Sequence, residues 1–226
     1  CTKEELLSAN ALSSGGWSAA MGIGAGIGGL TISQYGIETA LWIDSVTFLA
    51  AIILIMTLPH GGPEKSGIFS SGPKAMVAEI LSGWKYILSK PPIRRVVLAK
   101  AMWASGGGAQ VFLLILIGRE AGFGDVAAGI GILYMARGFG SGFGPIISRR
   151  FMTNDRLVPY LLGGVLIISG AFYMAVAVSE WTAIILVYVF ISHAASGVNW
   201  VLSTTMLQER SEDEWLGRVF GTDSLG

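Results

Sequence analysis

Arg137 is the only charged residue in the run of small and apolar residues between Val126 and Ser148. Counted from Asp125 at ~1.5 Å per helical residue, it lies about 18 Å into that segment. An arginine near the centre of a bilayer costs at least ~2.5–3.5 kcal/mol on insertion scales, so we expect it to face protein or water. It could then set the charge preference for a bound molecule or couple the movement of that molecule to protonation. The alternative is an arginine that binds backbone carbonyls and only fixes helix packing.

A second group of polar side chains lies on the segment at 181–207. At about 100° per residue, its members fall within about 120° of helical arc. They are Ser192, His193, Ser196, Asn199, Trp200 and Ser203. Such a stripe in an apolar helix faces either a watery cavity or a neighbouring helix to which it hydrogen-bonds, and both alternatives stand. His193 could likewise be a packing histidine with satisfied hydrogen bonds or a proton carrier.

Three further residues could take part in chemistry. Gln110 shares a helical face with Trp103, and it could contact an uncharged part of a bound molecule or make one buried hydrogen bond between helices. Lys100 lies near the end of the same segment, so we expect its long side chain to extend back to the lipid headgroups. Asp44 lies about two turns into the segment at 37–58. We interpret Asp44 as structural, with a proton role as the alternative.

The composition shows which kind of protein must position these residues. Of 226 residues, 52% are hydrophobic and only 13% are charged, and the mean hydropathy is +0.62. Soluble domains have about 25% charged residues, so this chain is predicted to be an all-α membrane protein. The net charge of zero gives no reason to expect nucleic acid. With one cysteine, the chain cannot form an internal disulfide, and its two distant histidines do not favour a metal site. No cofactor is expected.

Six segments have the ~20 predominantly apolar residues that a spanning helix needs. They are 13–33, 37–58, 96–118, 125–147, 157–178 and 181–207. The longer connection at 59–95 contains a predicted amphipathic helix that begins near Pro73 and ends before Pro91. This helix could lie on the membrane surface with its lysines towards anionic lipid, or it could pack on the protein itself.

Lys and Arg are distributed unevenly among the connections. If the N-terminus is cytoplasmic, the inner side carries twelve of these residues and the outer side carries only Arg119. Cytoplasmic loops are enriched in Lys and Arg, so we expect both ends of the chain to be cytoplasmic. The predicted location is therefore the plasma (inner) membrane, crossed several times.

The glycine-rich stretch at 20–29 carries a family resemblance. It resembles the antiporter motif Gly-x-x-x-Gly-Pro-x-x-Gly-Gly on the fifth helix of exporters of the major facilitator superfamily. Gly24, Gly28 and Gly29 match this motif, whereas Ala20 and Ala25 replace the first glycine and the proline. The stretches "ELLSANAL", "LWIDSVTFLAAIILI", "GFGPIISRRF" and "LGRVFG" are similar to pieces of the macrolide-efflux-type branch.

This resemblance implies a partial helical bundle that holds helices five to ten of twelve. Residues 1–58 would be the last two helices of the N-terminal bundle, 59–95 the cytoplasmic linker, and 96–226 the first four helices of the C-terminal bundle. The implied partners are a small-molecule substrate, protons, the lipid bilayer and the missing helices of the same chain. In the family the eighth helix meets the fifth, which would put Arg137 at the seam between the halves.

The expected function is proton-coupled efflux of a hydrophobic or amphiphilic small molecule by alternating access. An importer of the same superfamily is the nearest alternative, and a non-transporting membrane scaffold or receptor is the alternative from another class. No phosphate-binding loop is present, and Phe139 stands where the Gly-x-Ser-Gly motif of an intramembrane serine protease needs its first glycine. We therefore predict that the protein is not an enzyme.

Overall fold

The computed structural model describes residues 2–58, 72–120, 122–154, 156–180 and 182–223. These described residues form helices and no strands, which confirms the predicted all-α class. The helices are α1 (Lys3–Met56), α2 (Pro73–Ser89), α3 (Pro91–Glu120), α4 (Val126–Met152), α5 (Val158–Ala177), α6 (Thr182–Arg210) and α7 (Leu216–Asp223). The first part of the predicted linker, 59–71, lies outside the described residues.

Four of the described helices are long and apolar enough to cross a membrane: α1, α3, α5 and α6. Helix α4 is not among them because its many glycines and Arg137 lower its mean hydropathy. The six predicted segments nevertheless map onto five helices, since two of them share α1. The two are separated at Gly36, whose φ of 83° and ψ of 167° interrupt the helix within the predicted link.

The ends of two helices follow from local sequence. Thr2 and Glu5 form a capping box at the start of α1, in which the Thr2 backbone N–H donates to Glu5 Oε2 at 2.7 Å. Helix α2 ends at Ser89, before Pro91 as predicted. Pro91 then begins α3 because a proline is tolerated in a first turn, where no backbone N–H is needed. Only Lys90, in an extended conformation, separates α2 from α3.

Helix α2 has features of both predicted placements. It packs against α3 and α7, and the ring of Tyr86 stacks on Trp215 at a centroid distance of 4.6 Å. On the adjoining part of the helix surface, Val77, Leu81 and Leu88 are exposed beside Lys85. Among the described residues, the protein therefore covers one edge of the apolar arc and leaves the other edge exposed.

Helix α4 lies between α1 and α6 and packs most extensively against these two. Its glycines divide into two faces. A Cβ on Gly138 would lie 2.5 Å from the Gly22 Cα of α1, and a Cβ on Gly144 would overlap the carbonyl of Ala194 on α6. Backbone contacts this close require glycine, so α4 is held on both sides by small-residue packing.

Lys100 does not extend to the headgroups, and this expectation was wrong. It is only 5% exposed and forms an ion pair with Asp223 at the end of α7, while its Nζ lies 4.2 Å from the ring of Trp200. A carboxylate and an aromatic face together replace the water that the ammonium group would otherwise seek.

Candidate functional site

A cavity of about 630 Å³ lies where α1, α3, α4 and α6 meet. The first part of α1 supplies Trp17 and Met21 beside small and polar side chains, and the middle of α4 supplies Arg137 and Ser141. Helices α3 and α6 each supply a tryptophan together with an amide or imidazole group. Its lining residues are Asn10, Ser13, Ser14, Trp17, Ser18, Met21, Trp103, Ala104, Gly107, Gly108, Gln110, Val111, Arg137, Ser141, His193, Ser196, Gly197, Trp200, Val201 and Thr204.

The cavity brings together six of the predicted site residues from three different helices. They are Trp103 and Gln110 on α3, Arg137 on α4, and His193, Ser196 and Trp200 on α6. These residues span 97 positions in the sequence from Trp103 to Trp200, so only the packing of the helices unites them. A ligand in this cavity would therefore contact all three helices at once.

Arg137 is the only lining residue of the described chain with a permanent charge. Its guanidinium carbon lies 5.5 Å from the ring centroid of Tyr134, one turn earlier on α4. The hydroxyl of Tyr134 donates a hydrogen bond to the carbonyl of Val111 on α3 at 2.8 Å. The aromatic ring that supports Arg137 is thus itself fixed to a second helix.

Two tryptophans form an aromatic wall of the cavity. The rings of Trp103 and Trp200 lie 6.1 Å apart at an interplanar angle of 50°. Trp103 Nε1 donates to Ser196 Oγ at 3.2 Å, and Lys100 lies against the Trp200 ring. Both ring orientations are therefore set by polar contacts, which suits the wall to an aromatic or other apolar ligand surface.

Behind this wall, hydroxyl groups connect α5 and α6. Ser169 Oγ lies 3.0 Å from Ser192 Oγ and 3.1 Å from Ser196 Oγ, and Ser192 donates to the Ser169 carbonyl at 2.9 Å. The polar stripe of α6 thus contains both predicted kinds of residue. Ser192 bonds between helices, whereas Ser196 reaches the cavity as well.

His193 combines a cavity position with a specific partner. Its Nε2 lies 2.7 Å from the hydroxyl of Tyr173 on α5, and the two rings meet edge to face with centroids 5.7 Å apart. The ring is thereby held in one orientation while it still lines the cavity.

Asn199 is not brought to the cavity. It is only 1% exposed and does not line the cavity, and neither polar atom of its amide has a hydrogen-bond partner among the described residues. Asp44 is exposed on the part of α1 beyond Gly36, also away from the cavity.

The antiporter-like glycines have different surroundings. A Cβ on Gly29 would lie 2.7 Å from the carbonyl oxygen of Ala127 on α4, whereas Gly24 and Gly28 have no atom of another element within 4 Å of such a Cβ. Only Gly29 of the three therefore takes part in the close contact between α1 and α4.

The sequence interpretation missed the part of the cavity that α1 supplies. Asn10, Ser14 and Ser18 are four residues apart and Trp17 is three residues from Ser14, so these residues share one helical face. This spacing was the available signal, but the residues precede or begin the first apolar segment. The helix that carries them starts at Lys3, ten residues before that segment.

Polar contacts near the cavity also join α1 to the other helices. The amide nitrogen of Asn10 donates to Thr205 Oγ1 at 2.9 Å and to Gln208 Oε1 at 2.6 Å, both on α6. Arg149, at the end of α4, donates to Ser8 Oγ at 2.8 Å. These bonds close one end of the interface between α1 and its neighbours.

A comparison with protein families gives one finding for nearly the whole chain. The family model described as Major Facilitator Superfamily matches residues 1–225. No curated protein and no solved structure matches the chain.

Proposed function

The chain belongs to the Major Facilitator Superfamily, a family of secondary transporters, and we propose that it takes part in proton-coupled efflux of a hydrophobic or amphiphilic small molecule. Members of this family move a substrate by rocking two helical bundles about a site near the middle of the membrane. The chain is accordingly a multi-pass membrane protein.

The observation that carries this proposal is the cavity of about 630 Å³ at the junction of α1 with α3, α4 and α6. Ligand sites of drug-sized molecules have volumes of roughly 300–1,000 Å³ and combine apolar walls with a few polar groups. The tryptophans supply the apolar surface, and Gln110, Ser196 and Arg137 supply the polar groups. In this proposal Trp103 and Trp200 bind the body of the substrate, and Gln110 binds an uncharged polar group.

The contact between α1 and α4 supports alternating access. We assign α1 to the N-terminal bundle and α3 to α6 to the C-terminal bundle, as helices five to ten of the family's twelve. The glycine contacts would then lie on the seam between the bundles, where smooth backbone surfaces can slide. The hydrogen bonds of Asn10 and Arg149 cross this seam, and they would break when that end of the cavity opens.

Proton coupling is assigned to titratable groups within the spans. His193 is the stronger candidate because it lines the cavity and already holds a hydrogen bond through which a proton can pass. Asp44 is retained as the alternative. With the twelve basic residues on the inner side, the chain would lie in the plasma membrane with both described ends cytoplasmic.

Export can be tested with an amphiphilic fluorescent dye in cells that express the natural gene from which this chain derives. Export predicts lower steady-state dye in these cells than in cells without the gene. The variant Gln110→Leu should restore dye accumulation at equal membrane expression. The matched control is Gln34→Leu, since Gln34 is exposed on α1 outside the cavity.

The other outcomes identify the alternatives. Higher dye accumulation in the expressing cells would refute export and indicate an importer. Equal accumulation with and without the gene, for dyes of several charges, would favour a scaffold or receptor. Dissipating the proton gradient should abolish export, and export that persists would refute coupling to protons.

A further inference from the structure

The charges that surround the cavity are unbalanced. Among the described residues, no Asp or Glu lines it, and Arg137 is its one permanent charge. The carboxylate nearest to Arg137 in sequence, Asp125, caps the start of α4 by accepting from the backbone N–H groups of Ala127 and Ala128. Asp223 pairs with Lys100, and Asp44 is exposed beyond Gly36. Arg137 therefore has no carboxylate partner within the described part of the chain.

The surroundings of Arg137 leave most of its hydrogen-bonding capacity unused. A guanidinium group has five N–H donors, and an aromatic ring face attracts the charge but accepts few of these hydrogens. The partner ring of Tyr134 lies at 5.5 Å, and its hydroxyl is directed to Val111 instead. Removing a cation from water without a paired acceptor is costly, so this site favours an incoming group with several acceptor oxygens.

The rest of the cavity limits what can carry that group. Trp17, Trp103 and Trp200 present aromatic surface, and the serines and Gln110 offer only neutral hydrogen bonds. A bare inorganic anion would leave the aromatic surface uncovered, and a neutral apolar molecule would leave Arg137 unpaired. An anionic group joined to an aromatic or apolar body satisfies both parts.

We propose that the substrate of this cavity is an amphiphilic anion, with a carboxylate, sulfonate or phosphate bound by Arg137 and an apolar body against the tryptophans. This inference rests on the proposed transport function and narrows its substrate class. The same chemistry occurs in free organic anions and in the headgroups of anionic lipids.

The test uses two fluorescent probes with the same ring system: 8-anilinonaphthalene-1-sulfonate, an anion, and N-phenyl-1-naphthylamine, which lacks the sulfonate. The purified chain is placed in nanodiscs of zwitterionic phosphatidylcholine, and binding is followed by energy transfer from tryptophan. The anion is expected to bind at least roughly 10-fold more tightly than its neutral analogue, the usual effect of a charge-assisted hydrogen bond.

Variants identify Arg137 as the source of that preference. Arg137→Gln should remove it while binding of the neutral probe is retained, which also shows that the variant folds; Arg137→Lys should keep part of it. The matched control Arg119→Gln removes an equal charge from an exposed position at the end of α3 and should change neither affinity. An unchanged preference in Arg137→Gln, or tighter binding of the neutral probe to the natural chain, would overturn the inference.

The same experiment separates this inference from the transport proposal. If both probes bind equally and Trp103→Ala weakens both, the cavity is a ligand site and only the anion preference fails. If neither probe shows saturable binding, the cavity is not a ligand site and both proposals fail. Nanodiscs that contain phosphatidylglycerol identify the source: competition that depends on Arg137 assigns the site to a lipid headgroup, and no competition assigns it to a free organic anion.

Discussion

The ion pair between Lys100 and Asp223 gives the sharpest prediction about stability. Both side chains are only 6% exposed, and the Trp200 ring covers the ammonium group from the other side. Lys100→Met keeps the length and apolar stem of the side chain but leaves the Asp223 carboxylate buried without a cation. Breaking a buried pair from one side costs about 3–5 kcal/mol, so we expect a loss of that size in the free energy of unfolding.

The chain contains its own control for this experiment. Lys90 and Glu212 form a pair of similar chemistry at 3.0 Å, but their side chains are 48% and 55% exposed. Exposed pairs contribute little because water and salt screen them. Lys90→Met should therefore leave unfolding almost unchanged, and the double variant Lys100→Met/Asp223→Leu should recover most of the loss because it removes both buried charges together.

Unfolding of the purified chain in mild detergent, followed by tryptophan fluorescence against a denaturing detergent, measures all three variants. Lys100→Met must be clearly less stable than Lys90→Met and than the double variant. Equal stabilities of Lys100→Met and Lys90→Met would mean that water reaches Asp223, and the argument from burial would then be wrong.

Two further predictions concern the glycine contacts and the exposed pair. Gly138→Ala should destabilise the chain or abolish transport because the added Cβ would lie 2.5 Å from the Gly22 Cα. Gly24→Ala should be tolerated or slightly stabilising because a Cβ there has no atom of another element within 4 Å. Equal effects of the two variants in unfolding and transport assays would refute the packing argument. The hydrogen bond and charge of Glu212 raise the pKa of Lys90 above its ordinary 10.5, so the small stabilisation is complete below that pH and is lost as pH rises through the higher folded value. Unfolding measured at alkaline pH should show this loss in the natural chain and not in Glu212→Gln, and identical pH profiles would contradict it.

The limits of hydropathy explain which parts of the fold could be predicted from the sequence. Apolar length predicted the segments that lie in the four helices long and apolar enough to cross a membrane, and α1 is interrupted at Gly36, within the predicted link at 34–36. The burial of Lys100 was not predicted because its partner, Asp223, is 123 residues away. Asp223 lies on a short helix that contains no long apolar segment by which it could be predicted. The hydropathy pattern of one segment shows how favourably that segment enters lipid. It contains no information about a carboxylate that another helix supplies.

The residues of the candidate site were likewise predicted only in part. Three residues of the arc on α6 line the cavity, His193, Ser196 and Trp200, whereas Asn199 at the edge of the arc does not. Helical spacing gives relative angles between residues, whereas the direction of the cavity depends on where α1 and α3 pack. The α1 residues were missed for the same reason, because their polar face can be recognised as part of the cavity only once α1 is known to pack opposite Arg137.

The position of Arg137 follows from the two glycine faces of α4. At about 100° per residue, Gly138 and Gly142 lie on one side of Arg137, and Gly140 and Gly144 lie on the other. The first pair packs against α1 and the second against the backbone of α6 at Phe190 and Ala194. Because both flanks are in backbone contact, α4 cannot rotate to move the arginine to another environment. Arg137 and Ser141 lie between the two flanks and both line the cavity, so the same glycines that pack the helix direct its charge to the site.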